Sequence, residues 1–313
     1  MRRRNNSTVT EFILVGFTAI PQLQFVLFIL FLTIYIFTIT TNVIIIGTVR
    51  AERHLHKPMY FFISNFSFLE IWYTTTFIPK MMAGLVTGNK TISVHGCIIQ
   101  FYFIFAFGAT VNFLLAVMSY DRYLAICHPL HYTTIMTSKV SGYLALFAWT
   151  AGLFAPLMPA VWISTLYFCG PQNIDHFFCD FAPLLNLSCT DTSLVEVTFF
   201  TFAWSIILCC FFFTMVSYIH IISTVLRIQF PFGRQKTFST CSSHLAVVSI
   251  YYGTVIFIYV RPTARTTFHL DKVVSIFYSM VTPLFNPIVY SLRNQEVKKA
   301  VQKFCISIKD LVK

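Results

Sequence analysis

The 313-residue chain is 57% hydrophobic and 18% aromatic, with only 11% charged residues and a mean hydropathy of +0.72. Soluble domains carry about 25% charge, so this composition excludes a soluble globular protein and places the chain in a lipid bilayer. The net charge of +11 does not point to nucleic acid, because no Lys/Arg cluster is interleaved with aromatics and the bases sit in short gaps between apolar runs.

Residues 1 to 23 are largely polar, and Arg2-Arg3-Arg4 leads into Asn-Asn-Ser-Thr rather than an apolar stretch, so no cleavable signal peptide is evident. Apolar runs follow near 25–49, 58–80, 96–127, 140–162, 196–227, 237–260 and 271–292. Each reaches the roughly 20 residues that a helix needs to cross the hydrocarbon core. They do not alternate with period two, which argues against a β-barrel. In hydrocarbon the backbone must be satisfied within each segment, so the expected fold is an all-α bundle of seven transmembrane helices.

Seven crossings leave the two ends on opposite faces. With the gaps after spans one, three and five and the tail on the cytoplasmic side, that side holds fourteen Lys/Arg against four acids, and the outer side eight against six. The positive-inside rule then sets the amino terminus outside, although Arg2 to Arg4 run against it. This topology exposes the glycosylation acceptors Asn5, Asn6, Asn89 and Asn186, whereas the acceptor at Asn65 lies within span two and should be unmodified.

Cysteines divide the same way. Cys97, Cys169, Cys179 and Cys189 fall at the outer, oxidising face, and Cys127, Cys209, Cys210, Cys241 and Cys305 in spans or inside. Four outer cysteines allow three pairings. Zinc is the competing use, with His176 three residues before Cys179, but the short Cys-x-x-Cys spacing is absent.

Polar residues inside spans are the informative exceptions. Asn42, Glu70 and Asn286 stand out, and a mid-depth carboxylate such as Glu70 should bind a cation or become protonated. The adjacent Asp121-Arg122 pair closes a run without charge from Gln100 to Ser119, at the expected membrane boundary. Pro283 and Pro287 must distort span seven beside Asn286. Residues 294–304 place Val297, Val301 and Phe304 on one face and lysines on the other, which predicts an amphipathic helix on the inner membrane surface. The expected organisation is therefore an extracellular segment over 1–24, a seven-helix domain over 25–293, and an amphipathic eighth helix with tail over 294–313.

The wording of several stretches is specific. Ser119-Tyr-Asp-Arg-Tyr-Leu-Ala-Ile-Cys-His-Pro-Leu-His-Tyr132 resembles the third-helix end of odorant receptors, the olfactory branch of rhodopsin-like (class A) G-protein-coupled receptors. His56-Lys-Pro-Met-Tyr-Phe-Phe62, Lys236-Thr-Phe-Ser-Thr-Cys-Ser-Ser-His-Leu245 with Tyr251-Tyr-Gly-Thr254, and Pro283-Leu-Phe-Asn-Pro-Ile-Val-Tyr290 followed by Ser-Leu-Arg-Asn294 resemble the same branch in order and spacing. Departures are small: Thr41 stands where Gly is usual, Glu70 where Asp is usual, and Tyr251 where Phe is common.

The resemblance implies the pairs Cys97–Cys179 and Cys169–Cys189, and a polar pocket of Asn42, Glu70 and Asn286 able to hold Na+. It implies an activation switch and G-protein coupling surface of Asp121, Arg122, Tyr123, Tyr218, His244, Tyr252, Asn286, Pro287 and Tyr290, with His244 and Tyr218 as resting partners of the Asp121-Arg122 pair. Offsets from the motifs place a ligand pocket at Phe105, Gly108, Ala109, Asn112, Phe202, Ile206, Val255, Tyr259, Ile276 and Ser279. That set is apolar with a few hydrogen-bonding groups, and suits a small neutral volatile held by burial and oriented by one or two polar contacts. No carboxylate lies in the outer half of span three, which disfavours a charged amine.

The implied protein is a plasma-membrane odorant receptor acting through a stimulatory heterotrimeric G protein and cAMP. A class A receptor for a non-odorant small ligand is the nearest alternative. A secondary transporter would show internal repeats and broken helices around intramembrane charges, yet Glu70 is the only acid deep in a span and no repeat is apparent. No nucleophile–base spacing supports an enzyme.

Overall fold

The computed structural model describes residues 9–16, 21–169, 172–227, 241–242, 244–255, 275, 279–280, 282–284, 289 and 295–311. In chain order the helices are α1 (Pro21–Ala51), α2 (Pro58–Thr87), α3 (Val94–Cys127), α4 (Pro129–Ile135), α5 (Ser138–Phe154), α6 (Leu157–Ser164), α7 (Phe181–Leu185), α8 (Ser193–Leu226), α9 (His244–Val255) and α10 (Gln295–Leu311). Among the described residues, Gln22–Ala51, Val94–Cys127, Ser138–Ser164 and Ser193–Leu226 are long and apolar enough to cross a membrane. The chain is a multi-pass membrane protein. Helix α2 has 30 residues but carries Glu70 and Lys80 in its length. The expected sixth span is described only in part, as α9 and its approach, and most of the expected seventh lies outside the described residues.

Local chemistry moves the helix ends away from the limits of the apolar runs. Pro58 opens α2, where its missing N–H is no loss, and Gly88, in the left-handed region at φ 69°, closes it. Ser93 caps α3 by accepting from the Gly96 amide at 3.1 Å, and Thr137 caps α5 by accepting from Val140 at 3.3 Å. The fourth expected span, 140–162, is divided: α5 ends at Phe154, Pro156 cannot continue the amide ladder, and α6 resumes at Leu157.

Helix α3 is the most enclosed of the spans and packs against α2, α5 and α8. Its approach to α5 is close enough to require glycine. A Cβ on Gly152 would collide with the Thr110 side chain and lie 2.7 Å from the Thr110 backbone nitrogen. Small residues at such crossings let helices gain dispersion contacts that lipid cannot supply.

A small sheet covers one end of the bundle. Strand β1 (Glu11–Leu14) lies between β2 (Thr91–Ser93), antiparallel, and β3 (Asn173–Ile174), parallel. Leu14 N donates to Lys90 O at 2.9 Å and Val15 N to Ile174 O at 2.8 Å, extending the pairing beyond the strands. Phe12 is fully buried and meets Phe168 edge to face at 5.1 Å. The sequence reading took this segment as a polar terminus; the structure makes residues 11–14 a central strand, and the rest of 1–24 is described only at 9–10, 15–16 and 21–24.

At the other end, α10 docks on α1 and α2. Val297 and Ala300 are buried and Phe304 lies against Gly47, where a Cβ would come 2.7 Å from the ring, while Lys298, Lys299 and Lys303 are exposed. The helix thus has the two-faced character expected, and it runs to Leu311 rather than stopping near 304. Lys303 Nζ reaches Glu52 at 2.8 Å, and Tyr60 Oη donates to Glu296 at 2.8 Å, with Lys57 at 3.4 Å from the same carboxylate.

Two outcomes are expected. Gly152→Val should destabilise the purified protein by about 1–3 kcal/mol through overpacking, seen as a lower thermal midpoint, whereas Gly142→Val, whose Cβ meets nothing within 4 Å, should leave it unchanged. The Lys303 hydrogen bond holds the Glu52 carboxyl below its ordinary pKa of 4.5, and the Tyr60 hydrogen bond does the same for Glu296. A carboxylate with a depressed folded-state pKa contributes above its unfolded pKa and loses that contribution as pH falls through the folded value. Protection of α10 amides from hydrogen exchange should therefore be level above about pH 4.5 and decline below it, and Glu52→Gln/Glu296→Gln should flatten the profile.

Candidate functional site

Two disulfides, Cys97–Cys179 and Cys169–Cys189, mark the sheet-covered end of the bundle. The first ties the start of α3 to the loop before α7. The second closes that loop on itself. This is the pairing the resemblance implies, and it leaves no thiolate beside His176 for zinc. Gln100, which the sequence reading passed over, fixes the loop from beneath: its Oε1 accepts from the Cys179 amide at 3.0 Å and its Nε2 donates to Thr76 O at 3.2 Å. Below lies an aromatic layer in which Phe181 stacks on Phe199 at 3.7 Å and Phe101 sits 4.6 Å from Phe105.

Under that layer is a small cavity of about 80 Å³. Helix α3 supplies Ile104, Phe105, Gly108, Ala109 and Asn112; α8 supplies Phe199, Phe202, Ala203, Ile206 and Ile207; α9 supplies Tyr251 and Val255. The Pro156 break between α5 and α6 provides the remaining wall, through Ala155, Pro156 and Pro159. Of the pocket residues read from the sequence, Phe105, Gly108, Ala109, Asn112, Phe202, Ile206 and Val255 line this space. Ser279 is buried and donates to Ser275 O, but it is not part of the lining. Tyr259 and Ile276 lie outside the described residues.

The polar chemistry of the cavity is concentrated at one place. Asn112 Nδ2 donates to Tyr251 Oη at 2.8 Å and to Gly108 O at 3.0 Å, while Tyr251 Oη donates to Gly108 O at 3.2 Å. Asn112 Oδ1 is buried with no hydrogen-bond partner among the described residues. A buried carbonyl in this state accepts a donor at a gain, since leaving it unmade costs about 1–3 kcal/mol. Tyr251, quoted in the sequence motif but not assigned to the pocket, proves to be its second polar group. The signal available was the hydroxyl added where Phe is common.

At the opposite end several of the predicted switch residues come together. Asp121 is 1% exposed and accepts a hydrogen bond from Tyr132 Oη at 2.8 Å. Tyr218 and His244, expected as partners of the Asp121-Arg122 pair, are hydrogen-bonded to each other through Tyr218 Oη and His244 Nδ1, with both rings buried, and the Arg122 charge acts on His244. Tyr132 reaches the carboxylate from α4, which folds back against the end of α3. Burial, and then the Asp121 charge, push the Tyr132 phenol above its usual range, so it remains a donor. Tyr123 Oη pairs with His128 Nε2 at 3.0 Å, and Tyr252 packs against Phe211 at 5.2 Å. Asn286, Pro287 and Tyr290 lie outside the described residues.

Among the remaining predicted positions, Asn42 and Glu70 are both buried, at 0% and 2% exposure, on the packed pair α1 and α2. Asn42 Nδ2 donates to Thr38 O at 2.9 Å, and its Oδ1 has no partner among the described residues. A hard cation takes oxygen ligands, and Asn42 Oδ1 and the Glu70 carboxylate are of that kind. Asn89 is exposed on the turn before β2 and Asn186 follows α7, both at the disulfide end; Asn5 and Asn6 are outside the described residues. Asn65 is held within the bundle, its Oδ1 accepting from Trp149 Nε1 at 3.2 Å.

Comparison with known proteins gives a consistent result. The family model described as olfactory receptor matches residues 31–307. The chain is similar to human olfactory receptor 6F1, 50% identical over 299 residues covering 96% of this chain and 97% of that one. It is also similar to rat olfactory receptor 226, 49% identical over 308 residues (97% and 94%), and to dog olfactory receptor-like protein OLF1, 46% identical over 299 residues (96% of each).

Removing the Tyr132 hydroxyl should strand the Asp121 carboxylate. Tyr132→Phe is expected to lower stability by about 1.5–3 kcal/mol, the range for a hydrogen bond to a charged group. A thermal melt of the purified protein reads the change, and an unaltered midpoint would show that Asp121 finds another donor.

Proposed function

The chain belongs to the olfactory receptor family, and from that premise we propose that it binds a small neutral volatile in the α3–α8–α9 cavity and activates a stimulatory heterotrimeric G protein, raising cAMP. It is a receptor rather than an enzyme. The observation that carries the proposal is the cavity itself: apolar on nearly every side, with Asn112 and Tyr251 as paired hydrogen-bonding groups. Such a lining gains by burial at about 25 cal/mol per Å² and offers an open acceptor at Asn112 Oδ1 to a ligand hydroxyl. Among the described residues no carboxylate lines it, which is consistent with a neutral ligand.

In this reading the full bundle has seven helices over 25–293 with α10 as a short eighth, and the protein sits in the plasma membrane with residues 1–24 outside and 294–313 inside. The positive charge at the Asp121 end and the disulfides at the other support that orientation. Glycosylation falls on Asn5, Asn6, Asn89 and Asn186. Ligand binding shifts an existing equilibrium toward a state in which the Asp121 end opens. Arg122, Tyr123, Tyr218, His244, Tyr252, Asn286, Pro287 and Tyr290 act in that change, and Asn42, Glu70 and Asn286 form a polar pocket able to hold Na+.

A panel of volatiles applied to cells expressing the chain, with cAMP as readout, tests the proposal. At least one should raise cAMP in a dose-dependent way. Arg122→Ala should abolish the rise while surface amount and glycosylation persist, and Asn112→Leu should weaken potency about tenfold, the equivalent of one lost hydrogen bond of roughly 1.4 kcal/mol. Signalling unchanged by Arg122→Ala would remove that residue from the mechanism.

A further inference from the structure

A second, larger opening lies at the Asp121 end, on the flank of the bundle where α1, α2 and α5 meet. It has a volume of about 510 Å³ and is separate from the α3–α8–α9 cavity in every lining residue. Its two ends differ in chemistry. At the rim stand Arg50, His56 and Lys57, with Ser138 beside them. Further along α2 the walls become Phe61 and Phe68, with Ile46 and Val49 facing from α1. Lys57 to Phe68 is eleven residues, or roughly 16 Å at 1.5 Å per residue. The groove therefore runs from the level of the helix ends well into the depth of the bilayer core.

We propose that this groove holds one anionic phospholipid, its phosphate between Arg50 and Lys57 and an acyl chain against Phe61 and Phe68. Charge and depth select the occupant together. Among the described residues no carboxylate lines the groove, and Glu296 is 3.4 Å from Lys57 at its outer edge. The Arg50 side is exposed and extends the positive rim beyond that pair. Free phosphate would leave the Phe61–Phe68 wall unused, and an uncharged sterol would leave both cations unused. A lipid of the cytoplasmic leaflet, which is the anionic one, meets both ends. The floor is fixed: Trp149 Nε1 on α5 donates to Asn65 Oδ1 on α2 at 3.2 Å, and Asn65 Nδ2 donates to Phe61 O at 2.9 Å, so the helices bounding the groove are bonded to each other beneath it. The choice of leaflet rests on the orientation given under Proposed function; the recognition of phosphate and chain does not.

The test uses the purified full-length chain in detergent doped with equal amounts of phosphatidylserine and phosphatidylcholine, with lipid retained on the protein counted by native mass spectrometry. The native chain should retain phosphatidylserine preferentially. Arg50→Gln/Lys57→Gln should cut that retention about thirtyfold, as expected for two basic contacts, with phosphatidylcholine unaffected. Ser64→Trp, which fills the groove without altering charge, should produce the same loss, and Lys298→Gln/Lys299→Gln on the exposed face of α10 should not. Equal retention of the two lipids by the native chain would overturn the proposal. So would undiminished phosphatidylserine on both groove variants, or displacement by glycerophosphoserine as readily as by the whole lipid, since that would mean a headgroup site alone. The readout needs no odorant, so a chain that retains the lipid but raises no cAMP would count against the receptor reading and not against this one.

Discussion

A helix enclosed by other helices in a membrane has to place every polar side chain it carries, because neither water nor lipid will accept it. Helix α3 bears five such buried groups, Gln100, Thr110, Asn112, Ser119 and Asp121. Thr110 and Ser119 turn back to carbonyls of their own helix at Ala106 and Ala116. The other three cannot, or not completely, and each specifies a neighbour. Gln100 fixes the disulfide loop and α2, Asn112 fixes α9 through Tyr251, and Asp121 fixes α4 through Tyr132. Apolar packing alone would tolerate many rotations of these helices. The polar contacts along α3 select one.

The same constraint explains what could be read from the sequence. Long apolar runs announce helices because chain length against bilayer thickness is a one-dimensional property, and α1, α3 and α8 fall within a few residues of their runs. Ends and breaks depended on single residues, such as the Ser93 and Thr137 caps and Pro156, and these shifted boundaries or split a span. Strand β1 was invisible for a different reason. Glu11-Phe-Ile-Leu14 becomes a strand only because Thr91–Ser93 and Asn173–Ile174 arrive on either side, and those partners lie about 80 and 160 residues away in the chain.

The candidate site was legible in part, and the division is again physical. Motif offsets located residues by their helix, so Phe105, Asn112, Phe202 and Val255 reached the cavity as expected. Offsets carry no information on a helix break or on side-chain reach. The Ala155–Pro159 wall came from the first, and the Tyr132 contact with Asp121 from the second. Asp121 and Arg122 are neighbours in sequence, and on a helix adjacent residues point about 100° apart, which is poor geometry for pairing with each other. A partner from another element was therefore to be sought, and α4, arriving after a two-helix turn at His128–Pro129, is the first one the chain brings back.

Helix α9 joins the two ends of this arrangement. Tyr251 faces the cavity and meets Asn112, while His244, seven residues earlier and roughly 10 Å along the axis, meets Tyr218 on α8. A ligand alters an equilibrium only by its differential affinity for the two states, so a molecule that merely fills the apolar lining equally in both would bind without effect. Under the proposed function, one that takes Asn112 Oδ1 or competes for the Tyr251 hydroxyl would change the placement of α9 at that point. Because Tyr251 and His244 belong to one rigid helix, the same displacement bears on the Tyr218–His244 contact. With the cavity as the proposed ligand site, discrimination between a silent binder and an effective one would reside in the Asn112–Tyr251 pair, and the apolar walls would set affinity alone.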